Sequence, residues 1–470
     1  MTVRGALASS TLVALAVAVL SVSTPRMSAQ MPVDPVWSLA AAGDSIITRR
    51  IAVYDDPTFI GLIDIIRGAD VAFTNIECQL FRIWDFKGYP SAENGGGYEL
   101  GPPEAAADLK WAGFDIVSRA NNHTTDYGIE GMIETGHTLD NVGLVHAGAG
   151  MTAGEAAQAR YLETNKGRVA LVSLATTFNA AERAGEARSE IKGRPGINAL
   201  RVERRYQLAP ADMRDFRRIA ASMGATVPAS AQDPVRFARL FFVPGAETRV
   251  LETLNPGDED RILRSIRSGS RQADYLIATS HSHESGATPD DPPPFLVDFT
   301  HKAIDAGAQA YLVHGPHRVR GIEIYKGRPI FYSLADFIFQ YETTEPQGAD
   351  IYESFGIRDP RLLAGDLYER EHQSDAYGPD NSVWFESIVA VPVFRGHELI
   401  EMKIYPIELG HTAKPLTGDG RAQRGTPRLA QGEMARAIID KVGRLSAKFG
   451  TTVEFKDGIG VWKPVGATRH

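Results

Sequence analysis

Short apolar runs alternate along the chain with segments of helical spacing. Trp37-Ser38-Leu39-Ala40-Ala41-Ala42 is a largely apolar run closed by Gly43-Asp44, which predicts a buried strand ending in a polar turn. Phe59, Ile60, Ile63 and Ile66 share one face of a helix over Phe59 to Arg67. Strands are predicted at Ala69–Asn75, Phe114–Ser118, Arg168–Ala175, Tyr275–Ser280 and Ala310–Val313, and helices at Pro103–Ala112, Ile129–Val142 and Phe295–Ala306. That alternation indicates an α/β architecture. Val383 to Val393 and Leu399 to Ile407 read as a hairpin turning at Arg395-Gly396-His397, and Glu433 to Phe449 as a closing helix stopped by Gly450.

Two stretches break the rhythm. Residues 183–271 have irregular spacing and are expected to form an insertion of short helices. Residues 342–381 are rich in Gly, Asp, Glu and Pro and are expected to be a long loop. At the start of the chain, Arg4 precedes the apolar run Thr11–Leu20, and Ser21, Ser23, Ser28 and Ala29 follow. The run is shorter than the ~20 residues of a spanning helix. Residues 1–29 therefore read as a secretory signal peptide, with export as the expectation and an uncleaved anchor as the alternative.

The polar residues between these elements are not scattered. Gly43-Asp44, Asn75-Ile76-Glu77, Asn121-Asn122-His123, His281-Ser282-His283-Glu284 and His314-Gly315-Pro316-His317 each follow a predicted strand. In open α/β sheets ligands bind beyond the carboxyl ends of the strands, so five such clusters can converge on one site. Their Asp, Asn, Glu and His side chains are donors for a divalent metal of intermediate softness, and His also serves as general acid or base. His137, His146, His301, His372, His397, His411 and His470 lie outside the clusters and read as ordinary polar residues. Asp126 or Thr125 reads as the cap of the following helix, with Asn121 at a positive φ.

Composition narrows the field. The 470 residues carry a net charge of -8, which argues against a nucleic-acid partner. Cys78 is the sole cysteine, so there is no intrachain disulfide and no Cys-rich zinc site; it reads as a small packed side chain. No Gly-x-Ser-x-Gly elbow, P-loop or dinucleotide fingerprint follows a strand, and Gly95-Gly96-Gly97 reads as a flexible loop. The charge is unevenly spread: residues 183–271 hold sixteen Arg, one Lys and eleven acids. An anion-facing wall and a solvated surface are both open readings of this excess. Arg264, Arg267 and Arg271 recur on one helical face and are the candidate substrate-binding residues, with Arg204, Arg205, Arg217 and Arg218 as further members.

The ordered clusters resemble the CapA family, the poly-γ-glutamate capsule biosynthesis proteins. The resemblance rests on Ala42-Gly43-Asp44, on Ala69 to Glu77, and on Ala120-Asn121-Asn122-His123 with Asp126 and Gly128. It continues through His281-Ser282-His283-Glu284 and the long stretch His314 to Leu334. It covers about residues 36–340 and, with the hairpin, reaches about 410, leaving 411–470 as a C-terminal extension. It implies a fold similar to calcineurin-like metallophosphoesterases, a β-sandwich flanked by helices, here with the helical insertion. It also implies a divalent metal held by Asp44, Asn75, Glu77, Asn122, His281 and His314, with His123, His283, His317 and Glu284 as the catalytic candidates. Ile46 stands where the phosphoesterase pattern has His, and the Asn75–Glu77 pair stands where it has a bridging Asp. One ion, two ions, or none with His acid–base chemistry are the open readings. Ala335-Asp336-Phe337 replaces the family's usual Gly-Asn-Phe.

The implied partner is an anionic polymer such as poly-γ-glutamate or a γ-glutamyl peptide, together with a membrane-bound synthesis complex. The implied activities are amide or phosphoester hydrolysis or transfer, polymer binding without turnover, or secreted phosphoesterase action.

Overall fold

In the computed structural model, residues 35–91, 96–359, 361–372, 381–414 and 421–464 are described. The predicted signal segment, residues 373–380, Gly95 and His470 fall outside them, as does the side chain of His372.

Two sheets carry the fold. The first runs, from edge to edge, Glu454–Lys456, Ile459–Trp462, Glu398–Glu408, Glu386–Arg395, Val36–Ile46, Val71–Ile76, Ile116–Ser118 and Val145–Ala147. The second runs Ile322–Tyr325, Arg328–Phe331, Ala310–His314, Tyr275–His281, Gly167–Ala175 and Arg160–Thr164. Trp37, Leu39, Val71 and Phe73 of the first meet Val169, Leu171, Ile277 and Leu312 of the second in one buried apolar cluster. The sheets are therefore packed face to face. Trp37 belongs to that contact, stacked on Tyr275 and on Phe394. Its burial alone is worth roughly 2–3 kcal/mol.

Helices cover both outer faces. Pro57–Arg67 and Glu104–Ala112 pack on the first sheet, with Phe59, Leu62, Ile63 and Leu109 buried there. Pro256–Ser270 and Pro294–Asp305 pack on the second through Ile262, Ile266, Leu296 and Phe299. The result is the helix-flanked β-sandwich. The strands flanked on both sides read as unbroken buried runs because both of their faces are covered. The expected hairpin is present, and Gly432–Ser446 closes the sandwich edge with Ile438, Ile439 and Val442 buried. Strands beyond 410 extend the first sheet, so the described residues from 35 to 464 form one compact unit. Among the described residues no helix is long and apolar enough to cross a membrane.

Two stretches differ from expectation. Residues 183–271 contain one separate helix, Pro210–Ser222, and a four-stranded sheet in the order Val235–Phe237, Leu240–Pro244, Val202–Leu208, Arg249–Leu254. No residue of Val202–Leu208 is fully buried, so its sequence lacks the alternation that marks a half-buried strand. Pro256–Ser270 is a layer of the sandwich and not part of an insertion. Within 342–381, helices Ala349–Ser354 and Ala364–His372 are found in place of a loop, with Ile351, Leu367 and Tyr368 buried in the core of the first sheet.

The strand Val36–Ile46 holds the centre. It pairs in parallel with both Val71–Ile76 and Asp336–Phe339, setting Asp44 opposite Asn75 and Asp336. Gly43 is needed there because a Cβ would lie 1.7 Å from the Ala335 carbonyl oxygen. Gly43→Ala should push that strand pair apart and cost roughly 3 kcal/mol or more, read as a lowered denaturation midpoint. An unchanged midpoint would mean that the close approach is not required.

Candidate metal centre

Each cluster sits where its strand ends, which brings residues far apart in sequence to one point. Asp44 is fully buried: one carboxylate oxygen accepts from Asn75 Nδ2 at 2.7 Å, the other from the Gly315 backbone N–H at 2.7 Å. Gly315 has φ +111°, so glycine suits this turn. His314 Nδ1 lies 3.1 Å and His281 Nδ1 3.6 Å from Asp44 Oδ1. On the other side of the His281 ring, Nε2 lies 2.9 Å from His283 Nε2 and 3.2 Å from Glu77 Oε1. His317 Nε2 is 3.9 Å from the same Glu77 oxygen.

A ring of carboxylates holds the imidazoles. Asp336 Oδ1 is 2.7 Å from His317 Nδ1, and Asp126 Oδ2 is 2.8 Å from His123 Nδ1. Pairing at Nδ1 fixes each ring and leaves Nε2 for the centre, the arrangement that orients metal-binding or proton-carrying histidines. Trp384 stacks on His317 with ring centres 5.0 Å apart. His317 and Ala335, which precedes Asp336, have φ of +52° and +58°, strain on the order of 1 kcal/mol each that the surrounding contacts hold.

The electrostatics follow from burial and from the neighbouring charges. Burial opposes ionisation of Asp44, but His314 and His281 together outweigh it and hold its carboxyl well below the usual range. Burial also opposes charge on His281, yet Glu77 and Asp44 push that ring up to about 9. Against the same cost, Asp336 and Glu77 push His317 up to about 10, and Asp126 pushes His123 up to about 9. His283 goes the other way: burial, then repulsion from His281 and His317, holds it well below its ordinary value.

One group decides what this cluster fits. Glu77 has no exposure, and neither of its carboxylate oxygens receives a hydrogen bond. The His281 ring, 3.2 Å from Oε1, is its nearest cationic neighbour, and Oε2 has no hydrogen-bond partner among the described residues; a buried carboxylate so incompletely compensated favours a cation beside it. Three groups of donors lie within 4.8 Å of one another: Asp44, His281 and His314; Glu77, His281 and His283; and Asp44, Glu77, His317 and Asp336. Donors bound at ~2.1 Å to one ion stand roughly 3.0–3.4 Å apart, the range of the closest contacts here. The cluster can hold a divalent metal ion.

The profile of the family described as bacterial capsule synthesis protein PGA_cap matches residues 38–341, a stretch that contains every donor of the cluster. The chain belongs to the PGA_cap family. It is 39% identical over 434 residues to the uncharacterized protein y4sH of Sinorhizobium fredii, covering 90% of this chain and 92% of that one. It is 22% identical over 333 residues to the PGA biosynthesis protein CapA of Bacillus subtilis, covering 68% of each chain. It is 26% identical over 243 residues to a probable polyglutamine synthesis accessory protein of Mycobacterium tuberculosis, covering 51% of this chain and 48% of that one.

Within this PGA_cap chain the structure brings Asp44, Asn75, Glu77, His281, His283, His314 and His317 together, with Asn122 and His123 buried at the adjoining loop. Asn75 supports Asp44 through its amide and takes Asn121 Nδ2 at 3.2 Å on its own oxygen. Glu284 Oε2 accepts from Thr176, Ser282 and Thr177 at 2.7, 2.9 and 3.0 Å, and Arg204 lies 3.9 Å from Oε1.

Arg264, Arg267 and Arg271 are not brought to the centre. Arg264 and Arg267 face Asp260 on the outer face of their own helix, while Arg271 precedes the start of strand Tyr275–His281. The length of that strand, roughly 20 Å, separates Arg271 from His281. Asp126 does not cap a helix; it accepts from Glu99 N and holds His123. Asn121 keeps a negative φ. Asp336 and Asp126 are supporting residues whose part sequence reasoning missed: Asp126 read as a helix cap, and Asp336 stood out only as the acid in place of the family's Asn.

Chelator-treated protein titrated with Mn2+ or Zn2+ should bind with an affinity that falls at least about 100-fold in Glu77→Gln or His281→Ala. Asp336→Asn should cost about 10–100-fold through His317. Equal affinity in all three variants would contradict the assigned centre.

Proposed function

We propose that this chain processes an anionic γ-glutamyl polymer of the poly-γ-glutamate kind outside the cytoplasm, by metal-assisted hydrolysis or transfer at an amide bond. Family membership and the names of the Bacillus and Mycobacterium relatives support the polymer class. The observation that carries the catalytic part is Glu77. It is an undonated, buried carboxylate ringed by imidazoles, and solvent approaches through His283, whose side chain is 32% exposed.

The ion would be held by Asp44, Glu77, His281 and His314, and when bound it supplies polarisation of the scissile carbonyl and a lower pKa for water. The chain's own residues do the rest. His283, neutral and at the solvent edge, is placed to accept a proton. His123, with Nδ1 tied to Asp126, keeps Nε2 to give one to the leaving amine. His317, fixed by Asp336 and stacked on Trp384, orients one side of the centre. Glu284, fastened to three hydroxyls, sets the path of the 281–284 segment and does not touch the reacting atoms.

Incubation of the metal-loaded protein with poly-γ-glutamate should shorten the polymer, and His123→Ala should reduce the rate about 10²–10⁴-fold with little change in binding. Co-sedimentation without shortening would make the chain a binding subunit. Turnover of phosphomonoesters or phosphodiesters alone would make it a phosphoesterase. For export, N-terminal sequencing of protein recovered from cell fractions should begin after the apolar run Thr11–Leu20. A full-length chain in the cytosol would contradict that part.

A further inference from the structure

A cleft of about 900 Å3 opens at the edge where both sheets end, away from the metal centre. Its walls come from the edge strands Val145–Ala147 and Arg160–Thr164 and from helices Gly128–Val142 and Pro256–Ser270. Arg119 lies at its base, 5% exposed. The guanidinium donates to the Met132 carbonyl and lies 3.4 Å from His146 Nδ1. No carboxylate is paired with it among the described residues.

The other charged groups of the cleft do not make up that deficit. Among the described residues the one acid within ion-pair reach of Arg160 is Glu155, at 4.0 Å. Asp140 is spent on His146 Nε2 at 3.2 Å and is 70% exposed. Burial pushes Arg119 down to about 10, Asp140 offsetting part of the cost and Arg160 adding to it, so the group stays protonated at neutral pH. Burial, then Arg119, pushes His146 down to about 4, so that ring is neutral there. The two guanidiniums therefore repel each other within one cleft, and that of Arg119 is buried.

Gly136 keeps the space around Arg119 clear, since a Cβ there would lie 3.0 Å from Nη1. Ser265 and Ser268 line the same wall. We propose that this cleft is an oxyanion-binding site, distinct from the metal centre, which seats a carboxylate or phosphate group between Arg119 and Arg160. Forked guanidiniums match either oxyanion, and the volume admits a ligand the size of a dipeptide. The loop that starts at Arg119 ends in the metal centre at His123, so the two sites share one short segment but no side chain.

The test is calorimetric titration of the full chain at constant ionic strength, with γ-glutamylglutamate and inorganic phosphate as separate probes. It is run in parallel on wild type and His281→Ala, so that failure of the metal-centre reading leaves the result readable. Saturable binding of either probe should persist in His281→Ala and weaken at least tenfold in Arg160→Glu. That variant alters a partly exposed side chain and sets a competing carboxylate beside Arg119. Arg119→Lys, which keeps the charge and loses the fork, should weaken it as well. The probe that binds identifies the oxyanion source. No saturable binding of either probe, equal binding by folded Arg160→Glu, or loss of binding in folded His281→Ala would each overturn the proposal.

Discussion

Burial of the Asp44 carboxylate is the constraint on which the rest of the structure depends. An ionised group with no exposure must recover several kcal/mol, on the order of its desolvation penalty. It does so with donors from separate segments: the Asn75 amide, the Gly315 N–H, and the His281 and His314 rings. Asp44 and Asn75 belong to the first sheet, and His281 and His314 end strands of the second. The site therefore fastens the two sheets at one end, while Trp37 and its neighbours fasten them between the faces. Gly43 permits this by letting the backbone before Asp336 come within contact of the backbone before Asp44.

The same logic explains how the histidines differ although all share one small volume. Those that face a carboxylate at Nδ1, His123 and His317, favour the proton; His283, facing other imidazoles, loses it. Charge therefore alternates across the centre, and Glu77 is left as the point where a cation completes it. The metal reading and the acid–base reading are two uses of one arrangement, with His283 Nε2 2.9 Å from His281 Nε2 and His123 at the adjoining loop.

Much of this was legible in the sequence, for a physical reason. Strands covered on both faces are unbroken apolar runs, and their polar ends stand out: Asp44 after Trp37–Ala42, His314 after Ala310–Val313. The Arg-rich sheet was not legible because Val202–Leu208 is exposed or half-exposed throughout, which leaves no periodic signal. The helical spacing of Arg264, Arg267 and Arg271 was real, but a shared face says nothing of which way that face points. It points to solvent and Asp260. Arg204 does reach the rim, beside Glu284, from a strand that sequence spacing had concealed. Asp126 read as a cap because a cap and a His-orienting carboxylate occupy the same place before a helix; only Glu99 and His123 around it tell them apart.

X-ray absorption at the metal edge of the purified protein tests the central claim most directly. The account predicts a bound divalent ion with nitrogen and oxygen ligands at about 2.0–2.2 Å and clear imidazole scattering. Protein free of any stoichiometric ion after growth in metal-replete medium, or an ion coordinated by oxygen alone, would contradict it.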